Sequence, residues 1–401
     1  MDTVYLDSAA TNLVHPRVLE VARRFIDALA DRDRSPKEVF AEQKGSLGTA
    51  RADVARFLGC SPKEIALMQS TSHSLGTLSM SLPLSKGDNI LVCDLEYQAS
   101  IVCWQSASER IGFEVREVKT TGGVITAEDF ARYMDARTKV ILLAAVQEIN
   151  GFRADVRAIG KLAHSHGCIF IVDGIQEAGA LAVNVKDLDM DIYCAGGKKW
   201  MGNPFGLGFM YIREELLSTL RPPYYSYYDI EVPETFHDYI SYLEDPRRHP
   251  FDHYTLSQDA STFEAGGYGN FLGAAALSEA VHVLSDIGIE NIEAHNLALN
   301  QRLYQGLSAI GLNMQSPGRK ENMSSIIVFN FFGLRENNID TERALLAYLH
   351  RRGILVSLRC STGIGGIRVS VHYYTTEREV DIFIDAVQDF IREKNISLGE
   401  R

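Results

Sequence analysis

At 401 residues the chain exceeds what one hydrophobic core usually organises, so two packed domains are expected. With 46% hydrophobic and 23% charged residues its composition is that of an ordinary globular protein, neither disordered nor fibrous. A formal charge of -12 argues against a nucleic-acid or anionic-membrane partner, so any anion site must be built locally, from a helix N-terminus or a few placed cations.

The opening residues, MDTVYLDSAAT, hold neither a basic segment nor an apolar core, so no signal peptide is expected. No later apolar stretch is long enough to cross a bilayer, and the expected compartment is the cytoplasm. From about residue 60 to 215, short apolar runs alternate with amphipathic stretches, the pattern of a mainly parallel sheet wrapped by helices. A strand over 65–68 ends in a hydroxyl-rich turn before a helix over 73–82. The amides at that helix start, with the hydroxyls of Ser70, Thr71 and Ser72, make a natural phosphate cradle; a plain Ser/Thr cap reads the same way. Strands over 89–93, 139–144 and 168–172 follow, with helices over 99–110 and 156–166 between them. The runs VILLAA and CIFIV lack polar alternation, which suits strands covered on both faces.

Asp173 directly follows the last of these runs, so its carboxylate belongs at a C-terminal strand end, where open α/β sheets place ligands. There it can pair with a metal, a ribose or a protonated ring nitrogen, or simply cap a turn. Strands over 192–195 and 207–212 bracket GGKKWMGNPFG. Lys198 and Lys199, set between small residues, a tryptophan and buried strands, are unlike a solvated charge run. A desolvated lysine has a depressed pKa and attacks carbonyls, whereas the alternative is a surface turn. After Leu220 a stretch rich in Tyr, Pro and charge runs to Tyr254 without a sustained period, and reads as a binding or interface excursion. Helical patterns at about 268–287 and 290–310 precede a small α+β unit: strand 325–331, helix 340–352, strands 354–357 and 367–372, helix 377–393. Arg368 lies in its last strand; turned inward, it offers a two-pronged grip on a carboxylate. The six cysteines include no C-x-x-C pair, so no metal or thioredoxin-like site is expected. Together these residues supply an aldehyde-capturing lysine, an acid for a pyridinium nitrogen, a phosphate cradle and a carboxylate clamp. Those are the parts pyridoxal phosphate needs to act on an amino acid.

Nearly the whole chain resembles the class V aminotransferase family, which includes cysteine desulfurases, isopenicillin-N-epimerase-like proteins and kynureninase-like lyases. The resemblance runs through YLDSAAT (5–11), ARADVARFLGCSPKEI (50–65), EYQASIVCW (96–104), VDGIQ (172–176), KKWMGNPFGLGFMYI (198–212), FEAGG (263–267) and IRVSVHYYT (367–375). It implies an α/β protein of the PLP-dependent transferase fold (aspartate aminotransferase-like, fold type I). The large cofactor domain, with a mainly parallel sheet, would span 14–265, and a small α+β C-terminal domain 266–401 together with 1–13. Spacing to Pro204 and Gly206 selects Lys199 as the Schiff-base lysine. The resemblance further implies Asp173 on the pyridine nitrogen, Gln176 near the ring's phenolic oxygen, Thr71 and Ser72 on the phosphate, and Arg368 on the substrate carboxylate. It also implies a homodimer with its active sites at the subunit interface.

The sequence departs from the family pattern in several places. Lys198 stands where the family has His and can hold the phosphate as a cation. Tyr97 replaces the ring-stacking His, with Trp104 a second aromatic nearby. Gly267 replaces the Thr commonly donated to the neighbour's phosphate, Ser8 replaces an Asn, and Gln147 occupies a region that is often Ser-Asn-x-x-Gly. Cysteine desulfurases carry a nucleophilic Cys on a mobile loop well upstream of the carboxylate-binding Arg. Here seven residues separate Cys360 from Arg368, too few for that loop, so Cys360 is expected to be a structural thiol. The short segment is closer to the epimerase-like and lyase branch, with Arg359 a second cation for the substrate. Every candidate reaction begins with loss of the Cα proton to the Lys199 amine. β-Elimination from a sulfur-containing amino acid (C–S lyase type) is the expected outcome and transamination the runner-up. Epimerisation comes third, since the sequence marks no second base, Tyr97 and His372 being no more than guesses. A non-catalytic or sugar-acting binder is the reading from another class.

Overall fold

The computed structural model describes residues 3–398 apart from 32, 205, 237, 238, 265, 268 and 334–338. Met1, Asp2, Phe205 of the lysine motif, Ala265 at the expected end of the large domain and the last three residues of the expected small one lie outside the described residues. The chain opens with β1 (Val4–Tyr5), α1 (Pro16–Ala30) and α2 (Pro36–Leu58). It continues through β2 (Ile65–Met68), α3 (Thr71–Ser81), β3 (Asn89–Cys93), α4 (Ala99–Ile111), β4 (Glu114–Val118), α5 (Ala127–Tyr133), β5 (Thr138–Ala144), α6 (Val156–Ser165), β6 (Ile169–Asp173), β7 (Ile192–Gly196) and β8 (Gly208–Ile212). The excursion carries the short helices α7 (Glu214–Leu217) and α8 (Tyr239–Leu243). Then come α9 (Phe271–Ile287), α10 (Ile289–Ala309), β9 (Asn313–Met314), β10 (Ile326–Asn330), α11 (Asp340–Arg351), β11 (Ile354–Leu355), β12 (Ser357–Ser361), β13 (Ile364–Ser370) and α12 (Glu377–Glu393).

The larger sheet has the order β2-β8-β7-β6-β5-β3-β4. Only β8 runs antiparallel to its neighbours, and the other pairings are parallel. The register sets Ala144 beside Asp173 and Asp173 beside Cys194, so the C-terminal ends of β5, β6 and β7 finish in line. Strands β3, β7 and β8 are buried along their whole length, as helices on both faces require of apolar runs without alternation. Strand β4, EVREV, escapes the pattern because it is a charged edge strand, buried only at Val118.

The smaller sheet is antiparallel in the order β12-β13-β10-β9, and β1 pairs with β11 in parallel beside it. The single strand expected over 354–357 is therefore two: β11 faces the N-terminus and β12 turns into the β13 hairpin. Ala274, Leu277, Val281 and Leu284 of α9, expected in the small domain, lie in the core of the larger sheet, because α9 packs along α1 and α2. The second core takes over at Leu299 and Leu303 of α10 and includes Val4 and Leu6 from the N-terminus. Among the described residues no single helix is long and apolar enough to cross a membrane.

Candidate active site

The aligned ends of β5, β6 and β7 open into a cavity of ≈ 320 Å³, closed on its far side by β12 and β13. Small-molecule sites of this fold class lie at just such strand ends. Lys199 enters from the turn after β7. That turn is tight because Gly197 donates to the carbonyl of Leu207 at 3.0 Å, and a Cβ on Gly197 would sit 2.7 Å from the same oxygen. Loss of solvent, reinforced by the nearby Arg368 guanidinium, lowers the Lys199 pKa to about 8, against a partial pull upward from Asp173.

Asp173 ends β6, buried, its carboxylate accepting from the Ile175 amide at 2.9 Å and the Ser100 hydroxyl at 3.3 Å. Burial raises its pKa, and Lys199 opposes the shift. An acid held like this favours a cationic partner in the cavity. Gln176 donates to the Ala9 carbonyl at 3.2 Å and accepts from the Trp200 indole at 2.8 Å, which fixes its amide and leaves one N–H over. At the start of α3, Ser70 caps the helix through His73 N–H, so the cap is spent and the first amides are not. Thr71 Oγ1 is buried without a partner beside Gly196, where a Cβ would come within 3.4 Å of it. Ser72 and the exposed Lys198 share this end of the cavity.

Tyr97 lines the mouth and is 54% exposed. Gln147 is buried in the wall, its Nε2 donating to Glu96 at 2.9 Å and its Oε1 unpartnered. Arg359 and Arg368 come from neighbouring strands of the smaller sheet. Eleven residues singled out in the sequence, Ser70 among them, thus line one cavity. Trp104 does not: it is buried under the sheet among Ile90, Val92 and Leu142. His372 does not either. It is fully buried against the Trp200 carbonyl at 2.9 Å, burial lowers its pKa to about 4, and it is no base for this cavity. Cys360 follows Arg359 on β12, so its side chain leaves the opposite face. Partial burial and the Glu342 charge push that thiol up, away from the reactive thiolate. Gly267 has a positive φ of 90° and open space where a side chain would stand.

Three acids escaped the sequence reading. Glu96 lies buried, accepting from Ala144 N–H at 2.7 Å and from Gln147; its second oxygen has no partner and burial raises its pKa to about 8. Glu148 and Asp7 both pair with Arg368. The signal for Glu148 was weaker, since it lies four residues beyond β5, whereas Asp173 ends β6 itself.

An orphaned hydroxyl at a helix N-terminus, a buried acid, a lysine neutral near pH 8 and two cations fit pyridoxal phosphate. These features define a pyridoxal-phosphate enzyme of fold type I. Residues 4–383 match the model of the family "Aminotransferase class-V", and the chain belongs to that family. Probable cysteine desulfurases of Methanothermobacter thermautotrophicus and Synechocystis are 27% and 28% identical, each over 97% of this chain and 94% and 91% of theirs. The apo structure of the cysteine desulfurase from Thermococcus onnurineus superposes with a TM-score of 0.84 at 25% identity, over 98% of this chain and 95% of that one. A complex of the cystine C-S lyase C-DES with cysteine persulfide superposes at 0.83 and 18% identity over 97% and 98%, a likeness of fold. The protein is an enzyme that uses pyridoxal phosphate at Cα of an amino-acid-like substrate.

Proposed function

We propose that the enzyme is a C–S lyase, eliminating the sulfur substituent from Cβ of an S-substituted amino acid without a persulfide-carrying cysteine. The β12–β13 hairpin carries this reading. It turns at Thr362-Gly363, keeps Arg359 on the cavity wall and directs Cys360 away, so no thiol is offered to accept sulfur. Pyridoxal phosphate, when bound, supplies the aldehyde that captures the substrate amine and the ring that stores the electron pair left at Cα.

The chain's own residues supply the rest. The first amides of α3 with Thr71 and Ser72, and the Lys198 ammonium, would hold the phosphate. Asp173 would keep the ring nitrogen protonated, Gln176 and Gln147 would hold the ring's polar edge, and Tyr97 would pack against it. Arg368 and Arg359 orient the carboxylate. Lys199, released as a neutral amine, takes the Cα proton. The Cβ–S bond breaks with its electron pair on sulfur, and the protonated Lys199 is the acid that neutralises it. Water completes the balance, giving a thiol, pyruvate and ammonia.

We infer a homodimer in the cytoplasm. Six free cysteines among the described residues suit a reducing compartment, and exposed aromatics in the excursion suit a subunit contact. The test is L-cysteine S-conjugates added to the holoenzyme, with thiol and pyruvate measured. Equal release of both supports the lyase. Loss of the cofactor's visible band to a pyridoxamine-like spectrum with no thiol replaces it with transamination.

A further inference from the structure

Arg368 does not meet the cavity as a bare cation. Its Nη1 donates to the Glu148 carboxylate and, at 3.5 Å, to the carbonyl of the same residue, while Nη2 reaches Asp7 Oδ1 at 3.3 Å. That Asp7 oxygen also accepts from Ser357 Oγ at 2.8 Å. The Arg368 side chain is 1% exposed and its Nε faces no acceptor, whereas Asp7 and Glu148 keep 19% and 17% exposure. Two carboxylates therefore share one guanidinium, and the trio carries a net negative charge. Arg359, the next cation on the wall, donates to the Leu358 carbonyl at 2.8 Å and pairs with no carboxylate among the described residues.

Glu148 cannot retreat with its backbone. It sits in a turn beyond β5 in which Gly151 N–H donates to the Gln147 carbonyl at 2.8 Å and Gln147 N–H to that of Phe152 at 2.9 Å. The Asn150 side chain anchors the turn on the Gly123 carbonyl at 2.8 Å. Gly151 has φ 71°, and a Cβ there would lie 2.3 Å from the Ile326 carbonyl oxygen. Any movement of the Glu148 carboxylate is thus a rotation of its own side chain, which leaves it in the cavity wall.

We propose that Glu148 sets the charge selectivity of the site, which takes amino acids whose group beyond Cβ is cationic or neutral and rejects those in which it is anionic. A substrate α-carboxylate brings a third anion to Arg368. Like charges in contact repel strongly in a partly dry cavity, so Glu148 turns off the guanidinium toward the rest of the pocket. Asp7 stays behind, held by Ser357. A carboxylate parted from its ion-pair partner there is relieved by a substrate that brings its own cation and aggravated by one that brings a second anion. The inference rests on the lyase reading only for its choice of probes.

The experiment uses three S-substituted L-cysteines of similar size on the holoenzyme: S-(2-aminoethyl), S-propyl and S-carboxymethyl. Apparent affinity is read from the change in cofactor absorbance on mixing, and kcat/KM from pyruvate. The expected order is aminoethyl, propyl, carboxymethyl, with at least about tenfold between the two charged probes. Glu148→Gln should close that gap, and Glu148→Asp, which keeps the charge, should retain it. Equal affinity of the wild-type enzyme for both charged probes, or a gap that survives Glu148→Gln, overturns the proposal. The two readings fail separately. Ordered affinities without pyruvate refute the lyase and keep the role of Glu148, and pyruvate from all three at equal kcat/KM does the reverse.

Discussion

An ordinary lysine is half neutral only near pH 10.5, but burial and the Arg368 guanidinium bring that point in Lys199 down to about 8. The shift disfavours the charged form, so the neutral, nucleophilic fraction grows as pH rises through 8. Cofactor capture by the apo-protein should therefore quicken with pH and level off above a midpoint near 8; a midpoint near 10 would contradict the desolvated lysine. Lys199→Ala should form no visible absorption band at any pH. The same shift sets a sign for stability. Between about 8 and 10.5 the unfolded chain binds the proton that the folded one has lost, so this residue's penalty on folding is relieved as pH rises. Asp173 stood out in the sequence because it ends an apolar run, and Lys199 because it sits in a turn between two such runs; position alone left several chemistries open, and the set of residues together narrowed them. Glu96 was not, because its function is to accept the Ala144 and Gln147 N–H groups, and no spacing reports that. Trp104 was misjudged for a related reason: four positions along α4 from Ser100 is a matter of helix face, and that face turns into the core.

At the scale of elements, the β12–β13 hairpin decides which side chains reach the substrate, and two glycines permit it. Gly365 and Gly366 have φ of 122° and 146°, and a Cβ on Gly366 would fall 2.0 Å from the Phe329 carbonyl oxygen. β13 can approach β10 closely enough to seat Arg368 only because that Cβ is missing. Gly366→Ala should lower the stability of the fold by about 2–4 kcal/mol, read as a lower urea midpoint at unchanged slope. Gly363→Ala, also at positive φ but with open space around it, should cost about 1 kcal/mol. Equal effects would mean that backbone conformation, not the close approach, is the constraint. The hairpin itself was hidden in the sequence, because STGIGG lacks the alternation that marks a strand. The parallel strands were plain, since full burial on both faces leaves uninterrupted apolar runs.

Across the whole molecule, two cores meet within α10 while the N-terminus returns to the smaller one, so the cavity is bounded by both units. Gln176 reaches Ala9, and Arg368 reaches Asp7, through that returning segment. α9 is apolar enough for either core, and its packing on α1 and α2 sets it against the larger sheet. The excursion between β8 and α9 buries far less: Tyr224 and Tyr225 are well exposed, and Phe251 is 90% exposed. A ring so exposed on a single chain gains little unless another surface covers it. For a chain of 44.6 kDa, sedimentation velocity at micromolar concentration should give twice that mass, and Tyr224→Asp with Phe251→Asp should return it to one chain. A wild-type monomer would remove the subunit contact.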